Sequence, residues 1–207
     1  MANTVITIAR GYGSGGRQLG IKLSDKLGIP YYDKDLIKKA SEESGISEAL
    51  FGESDEMIKK KPLFGIFKKK QNDGRILDPG DSDFTSEDNI FNYQAKIIRD
   101  LAESESCIII GRCADYVLRD YENVIKLFFY APFEDCIDRV IDVYGGTAEE
   151  AKKKIAQVDN YRARYYKYHT GRDWNDSRNY DFCLNTGSMS YDKLIEIVTG
   201  YIDIKNK

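Results

Sequence analysis

The stretch Val5-Ile6-Thr7-Ile8-Ala9-Arg10-Gly11-Tyr12-Gly13-Ser14-Gly15-Gly16-Arg17-Gln18 decides the fold. Its first half is a β-branched run with the composition of a buried strand. Leu19, Leu23 and Leu27 then recur at helical spacing and stop at Gly28, the residue type that most often follows a helix end. A strand, a glycine-rich loop and a helix in that order make an anion site. Glycines let backbone N–H groups converge, and the positive end of the helix adds to their field.

Two motifs compete for the loop. Gly11, Gly13 and Gly16 satisfy G-x-G-x-x-G, whereas Gly11 and Gly16 mark the ends of the G-x-x-x-x-G phosphate loop. The dinucleotide alternative also finds Asp33 where a ribose-binding carboxylate belongs. It requires a third strand within a few tens of residues, and the chain instead enters about seventy residues without a convincing strand. In the phosphate-loop reading Gly11, Tyr12, Gly13, Ser14, Gly15, Gly16, Arg17 and Gln18 form the nucleotide cradle. Arg17-Gln18 replaces the usual Lys-Ser/Thr pair. Arg17 still neutralises phosphate charge, but Gln18 lacks a metal-liganding hydroxyl. Mg²⁺ then falls to water or to another residue such as Ser14, and no metal ligand is assigned.

Outward from this stretch, apolar runs at Pro30 to Asp33, Cys107 to Gly111, Val124 to Tyr130 and Asp181 to Asn185 predict further strands. Their lack of alternation predicts parallel pairing with both faces covered. Thr147 and Glu150 form a capping-box pair, and Leu194, Ile197, Val198 and Tyr201 predict one face of a final helix. Strands alternating with helices define the α/β class. Residues 34–104 are an insertion, and the lysines from Lys59 to Lys70 with the Pro and Gly residues up to Gly80 have the composition of a loop with a solvated face.

The length of 207 residues suits a single domain, 1–207, and a net charge of −3 gives no general electrostatic case for nucleic acid. Apolar runs are too short to span a bilayer, and Met1 to Ile8 lack the features of a secretory leader, so a cytoplasmic protein is expected. Cys107, Cys113, Cys136 and Cys183 contain no C-x-x-C pair, and His169 is the single histidine, which argues for reduced core cysteines rather than a zinc site.

Cations gather late in the chain. Arg139 precedes a segment holding Asp159, Arg162, Arg164, Lys167 and Arg172 among Tyr161, Tyr165, Tyr166, Tyr168 and Trp174. Asp159 and Arg162 share a helix face, and Arg164 lies on another. Such density wants an anionic partner, and a lid over residues 144–175 that supplies cations while excluding water fits phosphoryl transfer.

Taken together these residues resemble the cytidylate kinase-like proteins, within the nucleoside monophosphate kinases of the P-loop superfamily. Ile8 to Arg17 looks like their glycine loop, with Arg17 a usual variant at the lysine position. Gly28 to Asp33 is similar to the segment entering the monophosphate-binding region, with Lys39 at a position used for the acceptor phosphate. Gly111-Arg112 resembles the pair whose arginine faces the acceptor, Asp159-x-x-Arg162 the residues that grip acceptor ribose and phosphate, and Asn185-Thr186-Gly187 the loop near the donor purine. Two segments depart from the family: Ile155-Ala156 replaces an Arg-Asp pair, and Lys34-Asp35-Leu36 replaces a Ser/Thr-Gly-Ala segment.

The resemblance implies a three-layer α/β/α P-loop fold with a parallel five-stranded sheet in the order 2-3-1-4-5. It implies transfer of the γ-phosphoryl of ATP, with Mg²⁺, to a nucleoside monophosphate of the CMP or dCMP kind. Arg17, Arg139, Arg162 and Arg164 would stabilise the transferring group, and Asp33, Lys39, Arg112, Asp159 and Arg162 would hold the acceptor. The expected partners are small nucleotides, with neither nucleic acid nor membrane. The alternatives are a nucleotide-binding regulator without transfer activity and a kinase of another small acceptor.

Overall fold

The structure, a computed structural model, describes residues 3–52 and 73–205. The lysine run from Lys59 to Lys70 lies outside the described residues.

Five strands form one parallel sheet: β1 (Val5–Arg10), β2 (Tyr31–Tyr32), β3 (Cys107–Ile110), β4 (Val124–Tyr130) and β5 (Phe182–Asn185), in the order β2-β3-β1-β4-β5. The central strand pairs with β3 on one side, Val5 opposite Cys107, and with β4 on the other, Val5 opposite Val124. That neighbourhood settles the competition between the two glycine motifs. A Rossmann sheet places its first strand between the second and the fourth. Here β3 intervenes, which is the phosphate-loop arrangement.

The sheet is covered on both faces because its apolar residues point both ways. On one face Ile6, Ile8, Ile108, Ile110 and Leu127 pack with Leu19 and Leu23 of α1 (Gly16–Leu27) and with α8 (Tyr191–Lys205). On the other, Val5, Cys107, Ile109 and Val124 meet α2 (Lys34–Ser44), α3 (Glu48–Gly52), α4 (Glu87–Ser104) and α5 (Ala114–Val117). The segment between β2 and β3 is therefore not appended to the fold; its helices build one of the two cores. A smaller cluster joins α6 (Phe133–Tyr144) to α7 (Ala148–Thr170) through Cys136, Ile137, Val140, Ala151 and Ile155.

Local signals explain the helix ends. Gly28, Gly45 and Gly171 close α1, α2 and α7 in left-handed conformation, and Thr147 with Glu150 caps α7 reciprocally. Two expectations change. Leu194 and Val198 of α8 are buried as expected and Tyr201 packs partly buried beside them, but Ile195 and Ile202, not Ile197, complete the face toward α1 and the sheet. Cys183 is exposed on the edge strand β5, while the other three cysteines are buried.

Candidate active site

The C-terminal ends of β1, β3 and β4 converge where ligands bind in open α/β sheets. The loop after β1 turns through Gly13 and Gly15, with φ of 76° and 77°, and α1 starts at Gly16. Its N-cap, Gly15, offers no side-chain cap, and Gly16 N donates to Ser14 Oγ at 3.3 Å. A side chain at Gly15 would strike the Tyr191 hydroxyl, and one at Gly13 would come within 2.7 Å of the Cys136 carbonyl. This bare backbone at an uncapped helix start fits the phosphates of a nucleotide.

The loop is braced from below. Arg139 Nη1 donates to Ser14 O at 2.8 Å and to Thr186 Oγ1 at 3.1 Å, and its Nη2 donates to Thr186 O at 3.0 Å. The Thr186 hydroxyl donates to Ser14 O as well. In the described structure Arg139 thus ties the loop after β5 to the cradle.

Arg17 lies at the helix start, mostly exposed, and its Nε reaches Asp33 Oδ2 at 2.8 Å. Asp33, buried at the start of α2, is therefore in contact with the loop. Gln18 is exposed and Ser14 is buried with its hydroxyl turned to Gly16 N. Among the described residues no group of three or more His, Cys, Asp or Glu gathers for a metal. The donor set does not fit a protein-held Mg²⁺; an ion here would arrive on the nucleotide, as part of the substrate.

Beside the loop lies a cleft open to solvent. Its floor is the end of β1 and the Gly111-Arg112-Cys113 turn, its wall the middle of α7 and Trp174. Gly111, Arg112 and Cys113 are consecutively left-handed, at 67°, 56° and 54°. Two non-glycine residues in that region cost about 1–3 kcal/mol each, strain of the sort that accumulates at ligand sites. Three guanidinium side chains line the cleft, those of Arg10, Arg112 and Arg162, with Tyr161, Tyr165 and Trp174 as aromatic walls.

Asp159 joins cradle to cleft. Its Oδ1 accepts from Tyr12 N at 2.9 Å and lies 3.7 Å from Arg162 Nη1, which itself donates to Arg10 O at 3.1 Å. Burial raises the Asp159 carboxyl above the usual carboxylate range, against the lowering effects of Tyr12 N–H and Arg162. Arg162 also stacks over the Tyr12 ring at 5.7 Å. Deeper, Tyr166 donates to Asp115 Oδ2 at 2.6 Å, and burial pushes that carboxyl up to about 6.

The structure thus brings together Gly11 to Gly16, Arg17, Asp33, Arg112, Arg139, Asp159 and Arg162. Two predicted residues stand apart. Arg164 is exposed, with its Nε on Asn160 O of its own helix at 3.3 Å, and Lys39 is exposed on α2 over the Tyr32 ring at 5.6 Å. Ile155, at the departure from the family's Arg-Asp pair, is buried between α6 and α7. Sequence reading missed Arg10 and Asp115 as cleft residues. The available signals were a charged residue at the strand position that continues Ile6 and Ile8, and a carboxylate three residues beyond Arg112.

A parallel β2-β3-β1-β4-β5 sheet with this loop and cleft defines a P-loop kinase fold. Residues 5–188 match the cytidylate kinase-like family, and the chain belongs to it. It is 27% identical to the cytidylate kinase of Methanobrevibacter smithii over 94% of this chain and 95% of that protein. Most curated relatives match over a shorter stretch. The similarity covers 51% of this chain and 55% of the Pyrococcus furiosus cytidylate kinase at 31% identity, and 47% of this chain and 19% of a Corynebacterium glutamicum uronate isomerase, also at 31%. Among solved structures, an uncharacterized protein from Eubacterium ventriosum superposes with a TM-score of 0.72 at 25% identity, covering 97% of this chain and 99% of that one. The shikimate kinase of Bacteroides thetaiotaomicron superposes with a TM-score of 0.55 at 14% identity, over 97% and 98%, a likeness of fold. Family and fold together support a phosphotransferase. No described helix is long and apolar enough to cross a membrane.

Proposed function

We propose that this protein transfers the γ-phosphoryl of ATP to a nucleoside monophosphate, with CMP or dCMP the expected acceptors. The observation that carries the reading is Asp159, whose carboxylate bridges the backbone of the glycine loop to Arg162 at the edge of the arginine-lined cleft. A single residue coupling a phosphate cradle to a second anion-seeking, aromatic-walled cleft suits a phosphoryl transfer from one nucleotide to another.

In this reading the donor enters as its Mg²⁺ complex, which supplies charge neutralisation between its phosphates. The backbone of Gly11 to Gly16 orients the donor phosphates, and Arg17, whose side chain is mostly exposed, turns from Asp33 to pair with them. Arg112 and Arg162 hold the acceptor phosphate, Asp159 its ribose side, and Lys39 approaches if α2 closes. Arg139 acts through Ser14 and Thr186 on the loop's position, and Arg164 requires movement of α7 to reach the transferring group. No general base is needed, because an acceptor phosphate oxygen is already anionic; positioning and charge stabilisation carry the step.

ADP release over all ribo- and deoxyribonucleoside monophosphates tests the proposal, with Arg162→Ala as the control for contaminating kinase. Turnover with a pyrimidine monophosphate is expected; turnover only with a purine overturns the acceptor, and none above control overturns the transfer reading. Exposed Gln18 at the hydroxyl position favours a second reading, a nucleotide-binding regulator without transfer activity.

A further inference from the structure

Arg10 is the last residue of β1, immediately before the glycine loop. The strand's alternation sends its side chain the way of Ile6 and Ile8, toward α1, where an added Cβ at Gly16 would lie 2.8 Å from Arg10 Cβ. From there the guanidinium crosses the ends of the strands to Gly111, whose missing side chain makes room for it: a Cβ at Gly111 would overlap Arg10 Nη1. The residue is 7% exposed and borders the cleft that Arg112 and Arg162 also line.

Among the described residues this guanidinium makes no hydrogen bond and no ion pair. Its backbone carbonyl is engaged by Arg162, but the charged end is not. Asp159 and Tyr31 feel its charge at a distance, and neither bonds to it. A buried charge without a bonded counter-charge is costly, and folds retain one where a ligand completes it. A Gly-made channel leading the side chain into the cleft points the same way.

We propose that Arg10 is an acceptor-binding residue whose guanidinium receives the phosphate of the acceptor nucleotide, alongside Arg112 and Arg162. This rests on the nucleoside monophosphate kinase reading. It adds a recognition element from β1 itself, so that one strand end carries acceptor contact at Arg10 and donor contact from Gly11 onward. A planar fork at that position reads two phosphate oxygens at once.

The test uses the full chain labelled with ¹⁵N-arginine, the Arg10 Nε–H signal being assigned by its loss in Arg10→Met. The signal is expected to shift with CMP and with inorganic phosphate but not with ATP alone. Arg10→Met should bind CMP about tenfold or more weakly, the scale of a lost charge-assisted contact. ATP affinity should stay within about twofold, and the thermal midpoint should equal or exceed wild type, since an unbonded buried charge has gone. Arg10→Lys, which keeps the charge but not the fork, should fall between, and serves if the Met variant folds poorly.

A signal unmoved by phosphate and by every nucleoside monophosphate overturns the assignment, as does a response confined to ATP. So does an Arg10→Met protein that loses stability while keeping CMP affinity, which would make Arg10 a structural counter-charge for Asp159. If the signal moves with inorganic phosphate but no nucleoside monophosphate binds or turns over, the anion site stands and the nucleotide reading fails. If turnover is found with an unmoved Arg10 signal, the reading stands and the assignment fails.

Discussion

At the level of single residues, Gly16 is held against two strands. A Cβ there would meet Arg10 Cβ at 2.8 Å and Phe129 Cβ at 3.1 Å, both on strands that cannot give way. Gly16→Ala is expected to cost about 1–3 kcal/mol in chemical denaturation, by overpacking the seam between α1 and the sheet. Arg17→Ala takes the guanidinium from the buried Asp33 carboxylate and should cost about 1–3 kcal/mol in stability while weakening ATP binding by about 1.5–3 kcal/mol in calorimetry. Asp115 couples the cleft to pH. Its carboxyl titrates near 6 folded against 3.8 ordinarily, so the folded state holds the proton more tightly. Stability therefore falls as pH rises from about 4 to about 6 and stays lower above that, by roughly 2–3 kcal/mol. Asp115→Asn should remove this loss. The midpoint of the variant minus that of wild type is expected to climb by about 5–10 °C between pH 4 and pH 8 in calorimetric scans.

Among the secondary-structure elements, the strands were legible because a strand buried on both faces must be apolar nearly throughout, and Val5 to Ala9, Cys107 to Ile110 and Val124 to Tyr130 are the densest such runs in the chain. The helix spacing of Asp159 and Arg162 was legible for the same local reason. What local pattern could not reveal are contacts across the chain: Tyr166 with Asp115, Arg17 with Asp33, and Arg139 and Thr186 with Ser14. Arg139 stood out as a cation near a lid, but periodicity carries no information on whether its guanidinium meets a ligand or a carbonyl. The brace it forms is testable. Thr186→Val keeps the shape and removes the hydroxyl, leaving the Ser14 carbonyl with Arg139 alone. It should cost about 1–3 kcal/mol in stability and raise KM for ATP, with KM for the acceptor unchanged in steady-state kinetics.

Across the whole molecule, two segments flank the cradle: the helices between β2 and β3, and α7 with the Gly145-Gly146 turn before it, where φ reaches 70° and 94°. If α2 and the first half of α7 close over bound nucleotides, their amides should gain hydrogen-exchange protection only when ATP and an acceptor are present together. Protection confined to α1 and its loop would favour the regulator. The length of chain between β2 and β3 hid one architectural fact from sequence reading. It looked like an addition because it lacks strands, yet α2 and α4 supply much of the core on one face of the sheet.

The placement of β1 also sets the order in which the protein can become competent during synthesis. Of the five strands, β1 leaves the ribosome ahead of the others and becomes the middle of the finished sheet, and its partners begin only at Cys107 and Val124. The carbonyl of Ser14 then waits for Arg139 and finally for Thr186. Nascent chains ending before Thr186 would carry the whole glycine motif and still lack a fixed cradle. On stalled ribosomes, retention of ATP should therefore switch on only once β5 and the loop behind it have emerged, although the proposed donor-phosphate residues, Gly11 to Arg17, are made well before them.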